Sequence, residues 1–289
     1  MAPLDEALYH YVMNCRKLHT DDTPVPVLAP GRNKTKTGRI WTYVRDDRNA
    51  GSSDPPAAWF AYSPDRQGKH PELHLRSFRG VLQADAFAGY DRLFSTSREG
   101  GVLTEAACWA HARRKIHDVY ISSQSATAEE ALKRIGELYA IEAEIRGMPE
   151  TERLAARQSR SAPLLASLHE WMVEKSATLS KKSRLGEAFT YALNQWDALC
   201  YYCRDGLAEP DNNAAERALR AVCLGKKNYI FFGSDHGGER GALLYGLIGT
   251  CRLNGIDPEA YLRHILSVLP EWPSNRVGEL LPWNVAIPA

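Results

Sequence analysis

Net charge, cysteine and long apolar runs are all scarce in this 289-residue sequence. Lysine and arginine number 36 against 35 aspartate and glutamate, a formal charge of +1. That balance argues against a partner held by bulk electrostatics and leaves local patches open. Six cysteines are too few for a disulfide scaffold. Cys200 and Cys203 form one C-x-x-C, but a zinc ribbon needs a second such pair and the sequence has none. Leu185, Phe189, Ala192, Trp196, Leu199 and Cys203 recur at helical spacing, so these thiols read as reduced core residues. The longest strongly apolar stretch, residues 241–251, is too short to span a bilayer. Residues 1–6 lack the basic-then-apolar pattern of a secretory signal, so a cytoplasmic protein is expected. Lys226 belongs to no Walker loop, because Arg220 stands where that motif requires glycine. No internal repeat or low-complexity tract is visible.

What remains is an ordinary globular composition, 44% hydrophobic and 25% charged, at a length that suggests one or two domains. Such a chain buries about three quarters of its unfolded surface. Residues 17–22, 39–46 and 58–63 are β-branched or aromatic runs separated by Pro/Gly-rich turns, which predicts three strands. A short helix at 70–78, a fourth strand at 80–86 and a fifth at 101–110 follow. From His111 the texture becomes helical, with apolar stripes at Leu132, Ile135, Leu138 and Ile145, then at Leu164, Leu165, Leu168 and Met172, then over about 183–203. After a break at "GLAEP", Asp211 or Asn212 can cap a new helix; "KKNYIFFG" reads as extended, and two further helices follow. The fold class is therefore α/β (α+β), a strand-rich front with a helical middle.

Asp21, Asp85 and Glu216 stand out by position: the end of the first strand, the end of the fourth, and the helix after the central block. If the first and fourth strands are neighbours, the two aspartates project side by side, and a packing helix can add the third carboxylate. Such a set demands cations, and hard oxygen donors suit two Mg²⁺ or Mn²⁺ ions arranged for displacement at phosphorus. Among 35 acidic residues some triple will always fit, however. Asp21 and Asp22 also suit a turn, and Glu216 also suits an i,i+4 pair with Arg220.

Four blocks carry a resemblance. "LHTDDTPVPVLAPGRNKTKTGRIWTYVRDD" (18–47), "GVLQADAFAGYDRLF" (80–94), "CWAHARRKIHD" (108–118) and the segment 209–262 around "DNNAAERALRAV" together resemble the insertion sequence 66 family of bacterial transposases. The resemblance implies an RNase H-like mixed-sheet core of the DDE type, at 1–118 and 205–289, with an all-helical insertion at 119–204. It implies that Asp21, Asp85 and Glu216 hold two Mg²⁺ (or Mn²⁺) ions for DNA strand cleavage and transfer. Implied partners are transposon-end and target DNA, a second copy of the chain when engaged on DNA, and element-encoded accessory proteins. The implied setting is the cytoplasm of a bacterium, at the nucleoid when bound.

Two departures qualify it. The family's first motif usually reads Asp-Glu-Thr, whereas this chain has Asp21-Asp22-Thr23, which leaves Asp22 beside Asp21 as a rival ligand. Relatives also carry a helix-turn-helix region and a cysteine-rich zinc-binding segment ahead of the core, so a catalytic fragment or truncated copy is expected, with a silent DNA-binding or regulatory remnant as the alternative and a general RNase H-like nuclease as a third reading.

Cys108 and His111 form a C-x-x-H, read as a buried thiol and a hydrogen-bonded imidazole supporting the site from a strand-to-helix junction. Zinc fits least there, for want of partner ligands. Asn212 also falls in the supporting layer. Three basic clusters flank the carboxylates and are candidates for DNA phosphates: Arg32, Lys34, Lys36 and Arg39; Arg113, Arg114 and Lys115; and Arg217, Arg220, Lys226 and Lys227. Solvated faces are their ordinary explanation. "GSDHGGERGA" is a Gly-rich segment at a helix start that can also cradle a phosphate, with His236 and Glu239 nearby and neither catalytic.

Overall fold

A computed structural model describes residues 1–31, 33–180 and 182–286; Arg32 lies outside them. The chain opens with α1 (Ala2–Met13), whose Leu4, Leu8 and Val12 form one buried stripe. This helix precedes the strand-rich front expected from the sequence. Next come β1 (Lys17–Val27), β2 (Lys36–Arg45), β3 (Ala57–Ser63), α2 (Lys69–His74), β4 (Val81–Gln83) and β5 (Thr104–Ala106). They form one sheet in the order β3-β2-β1-β4-β5. β1–β2 and β2–β3 are antiparallel; β1–β4 and β4–β5 are parallel.

Strand order was legible in the apolar runs, but strand length was not. β4 and β5 keep only three residues each, so Asp85 lies just beyond the C-terminal end of β4. β1 instead runs on through Pro24 and Pro26. Pro26 accepts from Phe232 N–H, and Leu28 donates to Phe232, on the edge away from β2. The missing proline donors therefore fall on that outer edge and take nothing from the β1–β2 ladder. Gly80 makes the start of β4 possible: at φ +137° it brings the chain so close to the Arg16 carbonyl that a Cβ would collide with it, and Val81 N–H donates to that same carbonyl at 2.8 Å.

Alternation along the strands divides the core. Ile40, Val44, Ala58 and Phe60 point to one face with Val25 and Val27, and meet Leu219, Val222 and Ala242 from two later helices. Trp41, Tyr43, Ala57 and Ala61 point to the other face and meet Leu4, Leu8 and Val12. A further cluster belongs to the central helices: α3 (Trp109–Ser123), α4 (Ala126–Glu144), α5 (Glu150–Ala156), α6 (Ala162–Thr178), α7 (Arg184–Asn194) and α8 (Trp196–Cys200). Ile116, Ile135, Leu138, Leu168, Met172 and Phe189 form its centre, and Val81 and Ala106 join it to the sheet. The helix expected over 183–203 breaks at Gln195. Cys203 is buried there, and burial pushes the Cys200 and Cys203 thiols up to about 12 and about 11, as inert core thiols require.

The central helices are fastened to the sheet by buried ions. Arg157, fully buried in a single π-helical turn after α5, binds both oxygens of Glu142 (2.8 and 2.7 Å) and the carbonyls of Tyr202, Asp205, Gly206 and Ala208. Arg153 reaches Glu209 at 3.0 Å, and Glu209 lies 3.9 Å from Lys17 of β1. The chain then returns as α9 (Asn213–Tyr229), α10 (Asp235–Leu253) and α11 (Pro258–Val268). "KKNY" closes α9 rather than forming a strand, and only Phe232 bridges to Val27. No helix among the described residues is long and apolar enough to cross a membrane.

Candidate active site

The parallel pairing of β1 and β4 matches Lys17 with Val81, Leu18 with Leu82 and His19 with Gln83, an offset of 64 residues. Asp21 and Asp85 are separated by that same offset: each follows the last matched pair by two residues, Asp21 still within β1 and Asp85 just past the end of β4. Ligand and catalytic groups of open sheets containing parallel strands gather at such C-terminal ends.

Asp21 and Asp22 are distinguished by their neighbours. Asp22 is 1% exposed and ion-paired to Arg39 (3.1 Å) and Arg66 (2.9 Å). Asp21 receives the Asp22 backbone N–H at 2.7 Å and, among the described residues, has no cationic partner within ion-pair distance. Burial pushes its carboxyl up to about 7, with Asp85 and Asp22 adding to the effect. Asp85 is likewise held above the ordinary carboxylate range by burial, against the pull of His111 and Arg66. Its Oδ1 is buried without a hydrogen-bond partner, and Arg66 reaches its Oδ2 only at 4.0 Å. Nothing in the motif spacing pointed to Arg66, which enters from the loop after β3 and lays its guanidinium 3.8 Å over the ring of Phe87.

Glu216 comes from the first turn of α9, a helix tied along β1 at three levels. Asn212 Nδ2 donates to the Thr20 carbonyl (2.8 Å), Cys223 meets Thr23 (3.5 Å), and Lys226 donates to the Pro24 carbonyl (3.1 Å). Asn212 is fully buried and is the hub of this junction. Its backbone N–H donates to Cys108 Sγ at 3.2 Å, and its Oδ1 lies 3.1 Å from His19 Nδ1. Burial pushes His19 down to about 3, so the ring is neutral, and Nδ1 carries the proton that Asn212 accepts.

The Glu216 carboxylate meets His111 Nε2 at 3.2 Å and Arg114 at 3.4 Å, not Arg220. His111 beside it holds it below the usual range, and His111 is itself pushed up to about 10 by Cys108 and Glu216. Among the described residues one set of three metal-type ligand atoms lies within 4.8 Å of one another, those of Cys108, His111 and Glu216. Asp21 and Asp85 stand outside that set. An open cleft of about 400 Å³ runs past Asp85, His111, Arg114, Lys115 and Tyr191.

The basic residues named from sequence divide by environment. Arg113, Arg114 and Lys115 are exposed on α3, and Lys115 sits 4.7 Å over the ring of Tyr191 from α7. Arg217, Arg220, Lys227 and Lys34 are exposed. Lys36 instead pairs with Asp235 at 2.6 Å, and Lys226 is tied to β1. The α10 start is also taken: Ser234 caps Gly237 N–H and Asp235 fills the first turn, while His236 pairs with Glu239 in solvent. A local acid disfavours a phosphate at that terminus.

Comparison with known proteins gives two family matches along the chain. The family described as "Transposase IS66 family" matches residues 1–240, and "IS66 C-terminal element" matches 246–283. Two Sinorhizobium fredii proteins, "Uncharacterized protein y4hP" and "Uncharacterized protein y4qI", are 41% and 35% identical over 98% and 97% of this chain. The chain spans about half the length of these relatives, 53% of each. An Escherichia coli protein, "Uncharacterized protein YuaK", is 41% identical over 20% of the chain. With both family matches in chain order, covering the carboxylates and the helices behind them, the chain belongs to the IS66 transposase family.

Proposed function

We propose that this chain is the metal-dependent catalytic portion of a transposase, which nicks DNA at the ends of an insertion sequence and joins the freed 3′-hydroxyl to target DNA. The observation that carries this reading is the 64-residue offset shared by the β1–β4 register and the Asp21–Asp85 pair, with the Glu216 helix tied along the same strand. The β3-β2-β1-β4-β5 order, antiparallel then parallel, supports an RNase H-like core, and the separate cluster of α3–α8 supports a helical insertion.

The donor set fits divalent cations. Asp85 Oδ1 is buried and unpartnered, and Asp21 is a half-buried carboxylate with one backbone donor. Asp22 fits less well, since two arginines already neutralise it. Asp21, Asp85 and Glu216 would hold Mg²⁺ or Mn²⁺, which supply an activated attacking oxygen and a stabilised leaving oxygen at phosphorus. The protein's own part is positional. Asn212 fixes α9 on β1, Arg66 packs between Asp22 and Asp85, and His111 with Arg114 orients Glu216. Lys115 lines the cleft and contributes phosphate contacts, as do the exposed Arg113, Lys34, Arg217, Arg220 and Lys227. Each neutralised phosphate steepens the salt dependence of binding by about 0.9.

The test uses the purified chain, Mg²⁺, and duplexes carrying the element's own terminal sequences, with a pre-nicked end as one substrate. Joined products are expected from the natural chain, and D85N is expected to lose them by about a hundredfold or more while remaining folded. Full activity in D85N rejects the assignment. Hydrolysis without joining identifies a general nuclease, and DNA binding without either identifies a silent regulatory chain.

A further inference from the structure

We propose that Cys108, His111 and Glu216 form a Zn²⁺ site, and that zinc held there withdraws Glu216 from the two aspartates and inhibits the reaction. The sequence offered a thiol and an imidazole in C-x-x-H spacing with no third ligand. The structure supplies one from 105 residues beyond His111, with the three ligand atoms within 4.8 Å of one another. A tetrahedral zinc ion with bonds of about 2.0–2.3 Å has ligand atoms about 3.5 Å apart, so closure requires side-chain shifts on the order of 1 Å.

Local structure favours the site in three ways. Cys108 is the N-cap residue of α3 and His111 lies in its first turn, so both ligands are presented by one rigid turn. The Asn212 N–H already donates to Cys108 Sγ at 3.2 Å, the kind of outer contact that orients and stabilises a metal-bound thiolate. His111 Nδ1 is buried without a hydrogen-bond partner. Three protein ligands leave a fourth position for water, and one of them, His111, also lines the cleft that runs past Asp85.

Ligand softness separates this site from the aspartates. A sulfur–nitrogen–oxygen set selects zinc over magnesium, whereas Asp21 and Asp85 offer oxygen alone. Glu216 belongs to both sets and serves one at a time. The inhibitory half of the proposal rests on the catalytic reading above; the binding half does not.

Cobalt(II) titration of the whole chain, without DNA or magnesium, tests the binding half. A near-ultraviolet thiolate-to-cobalt band and tetrahedral visible bands are expected, displaced by stoichiometric Zn²⁺. C108S should abolish the thiolate band, H111Q should weaken binding at least tenfold, and E216Q should weaken it while keeping the band. C200S, D21N and D85N should leave the spectrum unchanged. A thiolate band that persists in folded C108S, or zinc affinity equal in the natural chain and H111Q, overturns the site. For the inhibitory half, zinc should suppress Mg²⁺-dependent joining at the concentration that saturates the cobalt-competition curve. Undiminished joining at that occupancy overturns inhibition. If the natural chain joins no DNA while the spectra behave as stated, the catalytic reading fails and the metal site stands.

Discussion

Asn212 Nδ2 donates to the carbonyl of Thr20 at 2.8 Å, across 192 residues of sequence, and this bond sets the helix that carries Glu216 against the strand that carries Asp21. Its Oδ1 also meets His19, so both polar atoms of the buried side chain are partnered inside the protein. N212A leaves a buried carbonyl and a buried imidazole unpaired, so a stability loss of about 2–4 kcal/mol is expected from urea unfolding. N212D keeps the acceptor for His19 and loses the donor to Thr20, and should fall between N212A and the natural chain.

The adjacent aspartates should respond in opposite directions. D22N deprives Arg39 and Arg66 of their shared carboxylate; with those arginines 22% and 37% exposed, a loss of about 2 kcal/mol is expected. D21N replaces a half-buried carboxylate that has a single donor and whose charge is disfavoured by desolvation, so without metal it should hold or raise Tm while abolishing metal-dependent joining. Calorimetry of both variants beside the joining assay separates the roles. An inactive, unaltered-Tm D22N with an active D21N would reverse them.

Arg157 should anchor the central helices far more strongly than its near neighbour Arg160. R157A strands Glu142 and four carbonyls in the interior and should cost about 3–5 kcal/mol. Arg160 pairs with Glu144 in solvent, at 44% and 57% exposure, and R160A should leave the urea midpoint essentially unchanged. Equal effects in urea unfolding would contradict the anchoring role.

Acid should destabilise the fold from well above the carboxylate range. Burial pushes His74 down to about 3, and the neutral ring accepts from the Tyr43 hydroxyl at Nδ1 (2.9 Å) while packing edge-on to Trp59. Unfolded histidine titrates near 6.5. The unfolded chain therefore binds the extra proton between about 6.5 and 3, and stability is present above 6.5 and lost as pH falls through that window. At pH 5 the loss is about 2 kcal/mol, and H74Q should flatten the difference between urea midpoints at pH 7.5 and pH 5 by that amount.

Legibility in the sequence followed physical range. The strands of the sheet were visible in order because β-branched and aromatic runs are local signals. Their lengths were not, because Pro24 and Pro26 are tolerated only where an outer edge is free of ladder bonds, and that depends on β4 being short. The N-terminal helix carries its own signal, the i, i+4, i+8 stripe of Leu4, Leu8 and Val12. Asp21, Asp85 and Glu216 were picked out by element ends and by resemblance. The guanidinium of Arg66, the hub at Asn212 and the approach of Glu216 to Cys108 arise from loop paths and helix docking, for which no spacing rule exists.

The prolines of β1 have one more consequence. Past His19 the short β4 no longer pairs with β1, and α9 reaches that edge through the side chains of Asn212 and Lys226 rather than through a ladder; an unpaired strand edge ordinarily recruits another strand. Pro24 and Pro26 remove two donors from that edge, and Phe232 occupies the remaining groups at Pro26 and Leu28. No continuous ladder can be templated there, so the gap flanking the carboxylates is kept from being zipped shut by a neighbouring segment or by a second molecule.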